Sequence, residues 1–277
     1  MAPLVIALVL GSAVLHASWN AMLRAGADRL QFMMLMGGLC AAAALPVAAI
    51  APHPAMTSWP YLAASAVLQV GYSLLLVRAY REGHLAHVYP IARGSAPLLV
   101  TLAAAVVAGE HLAPLGLLGV VLVSCGIVAI AFGRGRPDLV SSAFALTCGG
   151  FIASYMVVDG LGVRASGHPI GYAAWQEVAH GALMPLVFAG LRGRWPTMPV
   201  NREFAKVCLG AVISVLAYGV VLWAMSRTAM GQVSALRETS ILFAAVIGAV
   251  FLKEPFTLRR LAGAAMIAGG AVALSVG

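Results

Sequence analysis

Apolar residues gather in stretches of about 20, the length a helix needs to cross a hydrocarbon layer, and polar residues gather between them. Ten such spans can be drawn, over about 3–24, 31–51, 58–80, 87–109, 113–132, 139–159, 169–190, 203–226, 232–252 and 257–276. The connections are short. The longest runs from Leu191 to Arg202, so no soluble domain fits between spans. The predicted fold class is an all-α integral membrane protein of ten transmembrane helices.

The pattern also repeats. Residues 83–132 align without a gap on 227–276, an offset of 144 positions. Arg93-Gly94-Ser95 meets Arg237-Glu238-Thr239, Glu110 meets Glu254, Gly119 meets Gly263 and Gly126 meets Gly270. Arg and Glu are rare here, so their matches carry the alignment. A weaker match sets Ala17-Ser18-Trp19 against Ala153-Ser154-Tyr155. Two repeats are expected, 1–132 and 139–277, joined by Gly133–Asp138. Each holds five spans, an odd number, so the two halves are predicted to be inverted in the membrane, the mark of an alternating-access carrier.

Composition agrees with a lipid solvent. Of 277 residues 62% are hydrophobic and 9% charged, against about 25% charged in a soluble domain. The net charge of +8 would suit nucleic acid, but the distribution of the cations says otherwise. Boundaries after even-numbered spans hold only Arg164 and Arg227, and Arg93 and Arg237 lie within spans. The other thirteen Lys and Arg sit at odd boundaries. The positive-inside rule puts the odd boundaries in the cytoplasm and both termini outside. No nucleic-acid partner is expected; the partners are membrane lipid and a small-molecule substrate, with the chain a monomer or weak dimer. Cys40, Cys125, Cys148 and Cys208 are scattered singly without a CxxC, so they read as packing residues, and no metal or cofactor is expected. The apolar N-terminus lacks a charged leader and is expected to stay as the first span.

A charge at the centre of a span costs about 2.5–3.5 kcal/mol on insertion, so each needs a reason. Arg93 and Arg237 are expected to face a central cavity, where a guanidinium offers a planar fork to an anion. Glu238 points about 100° away from Arg237 and is expected to pair with another helix. Glu177 and His180 share one face of span seven and are candidates for proton coupling; a buried pair that only holds the helix in place is the other reading. His16, Trp19 and Asn20, with Ser12, form one stripe of span one. Tyr72, Tyr89, Tyr155, Trp175, Gln176 and Tyr218 are candidates for the wall of a substrate pocket. Trp59, Tyr61 and Trp195 suit the membrane interface. Glu110 and Glu254 end their spans, where an acid suits the positive end of the following helix.

Pro90-Ile91-Ala92-Arg93-Gly94-Ser95-Ala96-Pro97 with Gly109-Glu110, Ala235-Leu236-Arg237-Glu238-Thr239-Ser240 with Lys253-Glu254-Pro255, and His16-Ala17-Ser18-Trp19-Asn20 resemble the drug/metabolite transporter superfamily, in its EamA-like ten-span branch. The resemblance covers the whole chain. It implies a cavity lined mainly by spans one, three, four, six, eight and nine, with span seven near it, and no enzymatic activity. Ten-span members are usually described with both termini in the cytoplasm, opposite to the charge count here. The expected function is secondary active transport of a small polar or anionic metabolite, an amino acid or a phosphorylated or phosphonate-like compound, across the cytoplasmic membrane by proton coupling or exchange. Other readings remain open: a lipid-linked sugar flippase, a cationic drug pump, or a membrane-embedded enzyme acting on lipid phosphates with Arg93, Glu177 and His180 as its site. No nucleotide-binding motif is present to drive transport with ATP.

Overall fold

The structure, a computed structural model, describes residues 1–25, 29–81, 85–131, 139–197, 202–245 and 257–276. The linker Gly133–Asp138 and the Lys253-Glu254-Pro255 elbow lie outside the described residues. The helices are α1 (Pro3–Ala25), α2 (Arg29–Ile50), α3 (Trp59–Arg81), α4 (Leu85–Ala108), α5 (Pro114–Ala131), α6 (Leu139–Ala165), α7 (Pro169–Arg192), α8 (Arg202–Met225), α9 (Met230–Glu238) and α10 (Leu258–Val276), with a 3-10 turn at Met56–Ser58. Large apolar side chains such as Leu102, Val106, Leu139 and Ile50 point outward, as expected where the solvent is lipid.

Seven of these helices are long and apolar enough to span a membrane. The other three depart from the ten-span expectation for separate reasons. The apolar run in α5 is short, Pro114–Ile130. α7 has the length, but Gln176, Glu177 and His180 make it polar. α9 stops at Glu238, and helical turns resume over 240–245. The break has a local cause. Thr239 donates its hydroxyl to Leu236 O at 2.6 Å, and its N–H turns to the same carbonyl, which draws the backbone out of the regular ladder. Span six is longer than expected, since α6 continues to Ala165.

The packing follows the 144-residue offset. α5 lies against α10, α2 against α7 and α4 against α9, each helix meeting its own repeat mate. α3 packs on α6 as α8 packs on α1, and α2 on α8 as α7 on α3. The α5–α10 crossing shows the symmetry atom by atom. A Cβ on Gly119 would lie 2.9 Å from Gly270 O, and one on Gly263 would lie 2.8 Å from Gly126 O. The same Cβ atoms would meet Leu274 and Ile130, which are themselves 144 apart. The two helices are antiparallel and touch backbone to backbone, which only glycine permits. Gly37 of α2 and Gly181 of α7, also 144 apart, face each other in the same way. These symmetric contacts point to an internal repeat.

Candidate functional site

A cavity opens between the helices. It is reached from the later parts of α1, α3 and α7 (His16, Asn20, Tyr72, Leu76, His180, Met184) and the early parts of α2 and α4 (Met33, Met36, Tyr89, Arg93). It is therefore displaced toward the face that holds the α1–α2, α3–α4 and α7–α8 junctions.

The opposite face is sealed by direct bonds. Ala55 N–H donates to Ser166 O at 3.0 Å and Thr57 Oγ1 to Ala165 O at 3.4 Å. Gly109 takes a left-handed φ of 64° at the end of α4, which lets Glu110 N–H close the helix on Ala104 O. Glu110 then turns away from α5, contrary to expectation, and accepts from Met230 N–H at 2.9 Å, the first residue of α9. Arg164 pairs with Glu110 at 2.5 Å and donates to Met225 O and Thr228 O, both at 2.9 Å. One acid and one base thus tie the ends of α4, α6, α8 and α9.

Within the cavity the two repeat-equivalent arginines differ. Arg93 is buried, pairs with Glu238 Oε1 at 2.6 Å and approaches His16 Nε2 closely. A guanidinium has only donors, so that nitrogen of His16 must accept. Arg93 also stacks over Tyr89 at 5.3 Å. The expectation of a partner on another helix for Glu238 is thus met by α4. Arg237 is 8% exposed and lies over the Tyr218 ring at 5.2 Å, with Met156 Sδ 4.0 Å from Nη1. Among the described residues no carboxylate pairs with it. The offset explains why: the position equivalent to Glu238 is Gly94, which is packed against Val128 and Ser124 O.

Of the other candidates, Trp19, Asn20, Tyr72, Tyr155, Glu177, His180 and Tyr218 line the cavity. Trp19 meets the His16 ring edge-on at 5.0 Å, and Asn20 turns its amide back to His16 O at 2.8 Å. Tyr72, Tyr155 and Tyr218 form a run of rings at 6.1 and 6.4 Å. His180 Nε2 is buried without a hydrogen-bond partner, so it makes no bond to Glu177 through that nitrogen. Three candidates do not reach the cavity wall. Trp175 stacks with Trp59 at 5.4 Å and His53 at 6.0 Å; Gln176 donates to Ser65 Oγ at 3.4 Å; Glu238 stands behind Arg93. Each lies on a different face of its helix from its cavity-lining neighbour.

Two groups escaped the sequence reading. Met33, Met36 and Cys40 of α2 line the cavity. They are the repeat mates of Glu177, His180 and Met184, so the 144 offset could have located them. The second is Asp159 of α6, fully buried at 0% exposed. It accepts from Tyr218 Oη at 2.5 Å, Tyr172 Oη at 3.1 Å and Gln69 Nε2 at 3.3 Å. The signal was an acid well inside an apolar helix, missed because span six was ended on it. Among the described residues no group of three or more His, Cys, Asp or Glu could hold a metal ion.

Residues 140–276 match the model of the EamA-like transporter family. An EamA-like domain therefore covers that part of the chain, and domains of this family are transporters, not enzymes. A solved structure described only as "Crystal structure of protein" superposes with a TM-score of 0.75 at 18% identity, covering 99% of this chain and 96% of its own. At that identity the likeness shows the fold alone. No curated protein matches the sequence. Together these findings describe a multi-pass membrane protein with a transporter-like fold suited to small-molecule transport.

Proposed function

We propose that this protein is a ten-span secondary transporter built from two inverted five-helix repeats, and that it carries a small metabolite with an anionic group across the cytoplasmic membrane. The observation that carries the reading is Arg237: a buried guanidinium on the cavity wall that, among the described residues, has no carboxylate partner. An unpaired charge in a low-dielectric wall is costly unless a ligand supplies the counter-charge. Arg93 has that counter-charge already in Glu238, so a single anionic group is expected to dock, on Arg237.

The rest of the wall refines the cargo. Tyr72, Tyr155 and Tyr218 offer ring faces to an apolar body, while Glu177 and His180 supply a polar contact beside the soft surface of Met33, Met36 and Cys40. A cavity displaced to one face, with bonds sealing the other, is what one state of an alternating-access carrier requires. Transport is driven by proton coupling or by exchange, with the chain a monomer or weak dimer.

The test uses purified protein in two steps. A thermal-shift screen of small anionic and zwitterionic metabolites finds ligands, since binding to the folded state raises stability. Labelled hits are then offered to proteoliposomes. Accumulation of unaltered solute that falls at least tenfold in Arg237→Gln supports the reading. Chemical conversion of the solute, or normal accumulation by Arg237→Gln, refutes it.

A further inference from the structure

Asp159 needs an account that the fold does not supply. It lies inside α6, where a carboxylate costs several kcal/mol unless something requires it. Its hydrogen-bond partners come from three other helices: Gln69 and Ser65 from α3, Tyr172 from α7 and Tyr218 from α8. The repeat builds its other half without this cluster. At the 144 offset Gln69 corresponds to Ile213 and Tyr218 to Leu74, and α1, the counterpart of α6, contains no acid at all. The shared architecture thus takes apolar residues at the positions of Gln69, Tyr218 and Asp159, the last corresponding to Leu15.

The surroundings say what the acid can do. Among the described residues no cation pairs with Asp159. The charged or titratable groups that face it are Arg237 from α9, Glu177 and Tyr172 from α7 and Tyr218 from α8. From α3 come only the neutral Gln69 and Ser65, and Arg93 of α4 is committed to Glu238. Tyr218 connects this buried site to the cavity. Its hydroxyl is on Asp159 Oδ2, and its ring lies on the cavity wall under Arg237.

Resting on the carrier reading above, we propose that Asp159 is the proton site of the transport cycle and that Tyr218 relays cargo binding at Arg237 to it. The chemistry balances as one transfer. A hydronium ion gives up a proton, which forms an O–H bond on the carboxylate and leaves water, turning an anion into a neutral acid. That acid must then donate one bond where it formerly accepted. The amide nitrogen of Gln69 cannot accept, so Oδ2, which holds two donors, is poorly suited. Oδ1 holds the Tyr172 hydroxyl, which can rotate from donor to acceptor. Protonation thus re-forms the α6–α7 bond in the opposite sense and leaves the Tyr218 and Gln69 bonds in place. Glu177, on the cavity wall itself, is left to contact cargo.

Infrared difference spectroscopy on the full chain in lipid nanodiscs tests this with the proton as the only probe, independently of any transport assay. On stepping from mildly alkaline to mildly acid buffer, wild type should gain a C=O stretch of a buried protonated carboxyl. The band should be absent in Asp159→Asn and present in Glu177→Gln. Tyr172→Phe and Asp159→Glu, which keep an acid in place if Asp159→Asn does not fold, should shift the frequency of the band. Arg237→Gln should change the pH at which it appears. A band that survives in Asp159→Asn, that vanishes in Glu177→Gln, or that keeps its frequency in both conservative variants overturns the assignment. An unchanged titration in Arg237→Gln overturns the relay. If transport itself fails while the band follows Asp159, the carrier reading falls and Asp159 stands as a protonation site without a transport role.

Discussion

Arg93 and Glu238 meet at 2.6 Å across the interface of the two halves, and Glu238 is the chain neighbour of Arg237, the repeat mate of Arg93. The symmetric contact would set Arg237 against residue 94, which is Gly. Both halves thus carry the guanidinium, and among the described residues only Arg93 has a carboxylate partner. On the reading proposed above, that difference separates a structural arginine from one free to take a ligand.

The first prediction follows from this asymmetry. Arg237→Lys keeps the charge and loses the planar fork. The loss of one charge-assisted hydrogen bond, about 1.5–3 kcal/mol, corresponds to a fall in cargo affinity of at least roughly tenfold. Binding measured by thermal shift or calorimetry should show this with little change in the melting temperature of the unliganded protein. Equal affinity in the Lys variant would mean that Arg237 does not hold the anion through two bonds.

The second concerns Arg93. Removing one member of a buried ion pair leaves an unpaired charge and costs about 3–5 kcal/mol, whereas removing both can be close to neutral. Arg93→Gln and Glu238→Gln should each melt well below wild type, and Arg93→Gln combined with Glu238→Gln should recover most of the loss. Additive destabilisation in the double variant would show that the two side chains are not coupled.

The third tests the seal. Arg164 holds Glu110, Met225 O and Thr228 O together on the face away from the cavity. Arg164→Ala should raise the population that opens on that face. Ser65, fully buried in the early part of α3, is a reporter in a background without Cys40, Cys125, Cys148 and Cys208. Ser65→Cys should resist a membrane-impermeant thiol reagent added from that side and react once Arg164→Ala is introduced. Equal protection in both proteins would assign the pair a purely structural role.

The fourth is orientation. The cations concentrated at odd boundaries predict that both termini lie outside the cytoplasm. A C-terminal phosphatase, active only outside, should be active, and a C-terminal green fluorescent protein should be dark. The opposite pair of results would reverse the charge argument and turn the cavity of this structure to the outer face.

The hydropathy pattern located the helices among the described residues, apart from the break at Thr239 and the extension of α6 to Ala165, because lipid favours runs of apolar, hydrogen-bonded backbone. The 144-residue offset carried the repeat, because glycines at a backbone contact and charges within a span tolerate little substitution. What the pattern could not determine was pairing across the bundle. Helical periodicity puts Glu177 and His180 on one face, but whether they bond each other depends on the helices opposite. It ended span six at Asp159, because a carboxylate looks like a boundary until Tyr172, Tyr218 and Gln69 arrive from three distant segments to receive it. It assigned Arg93 and Arg237 the same role, because the difference between them is Gly94 against Glu238, and the partner of a charge lies wherever the fold brings it.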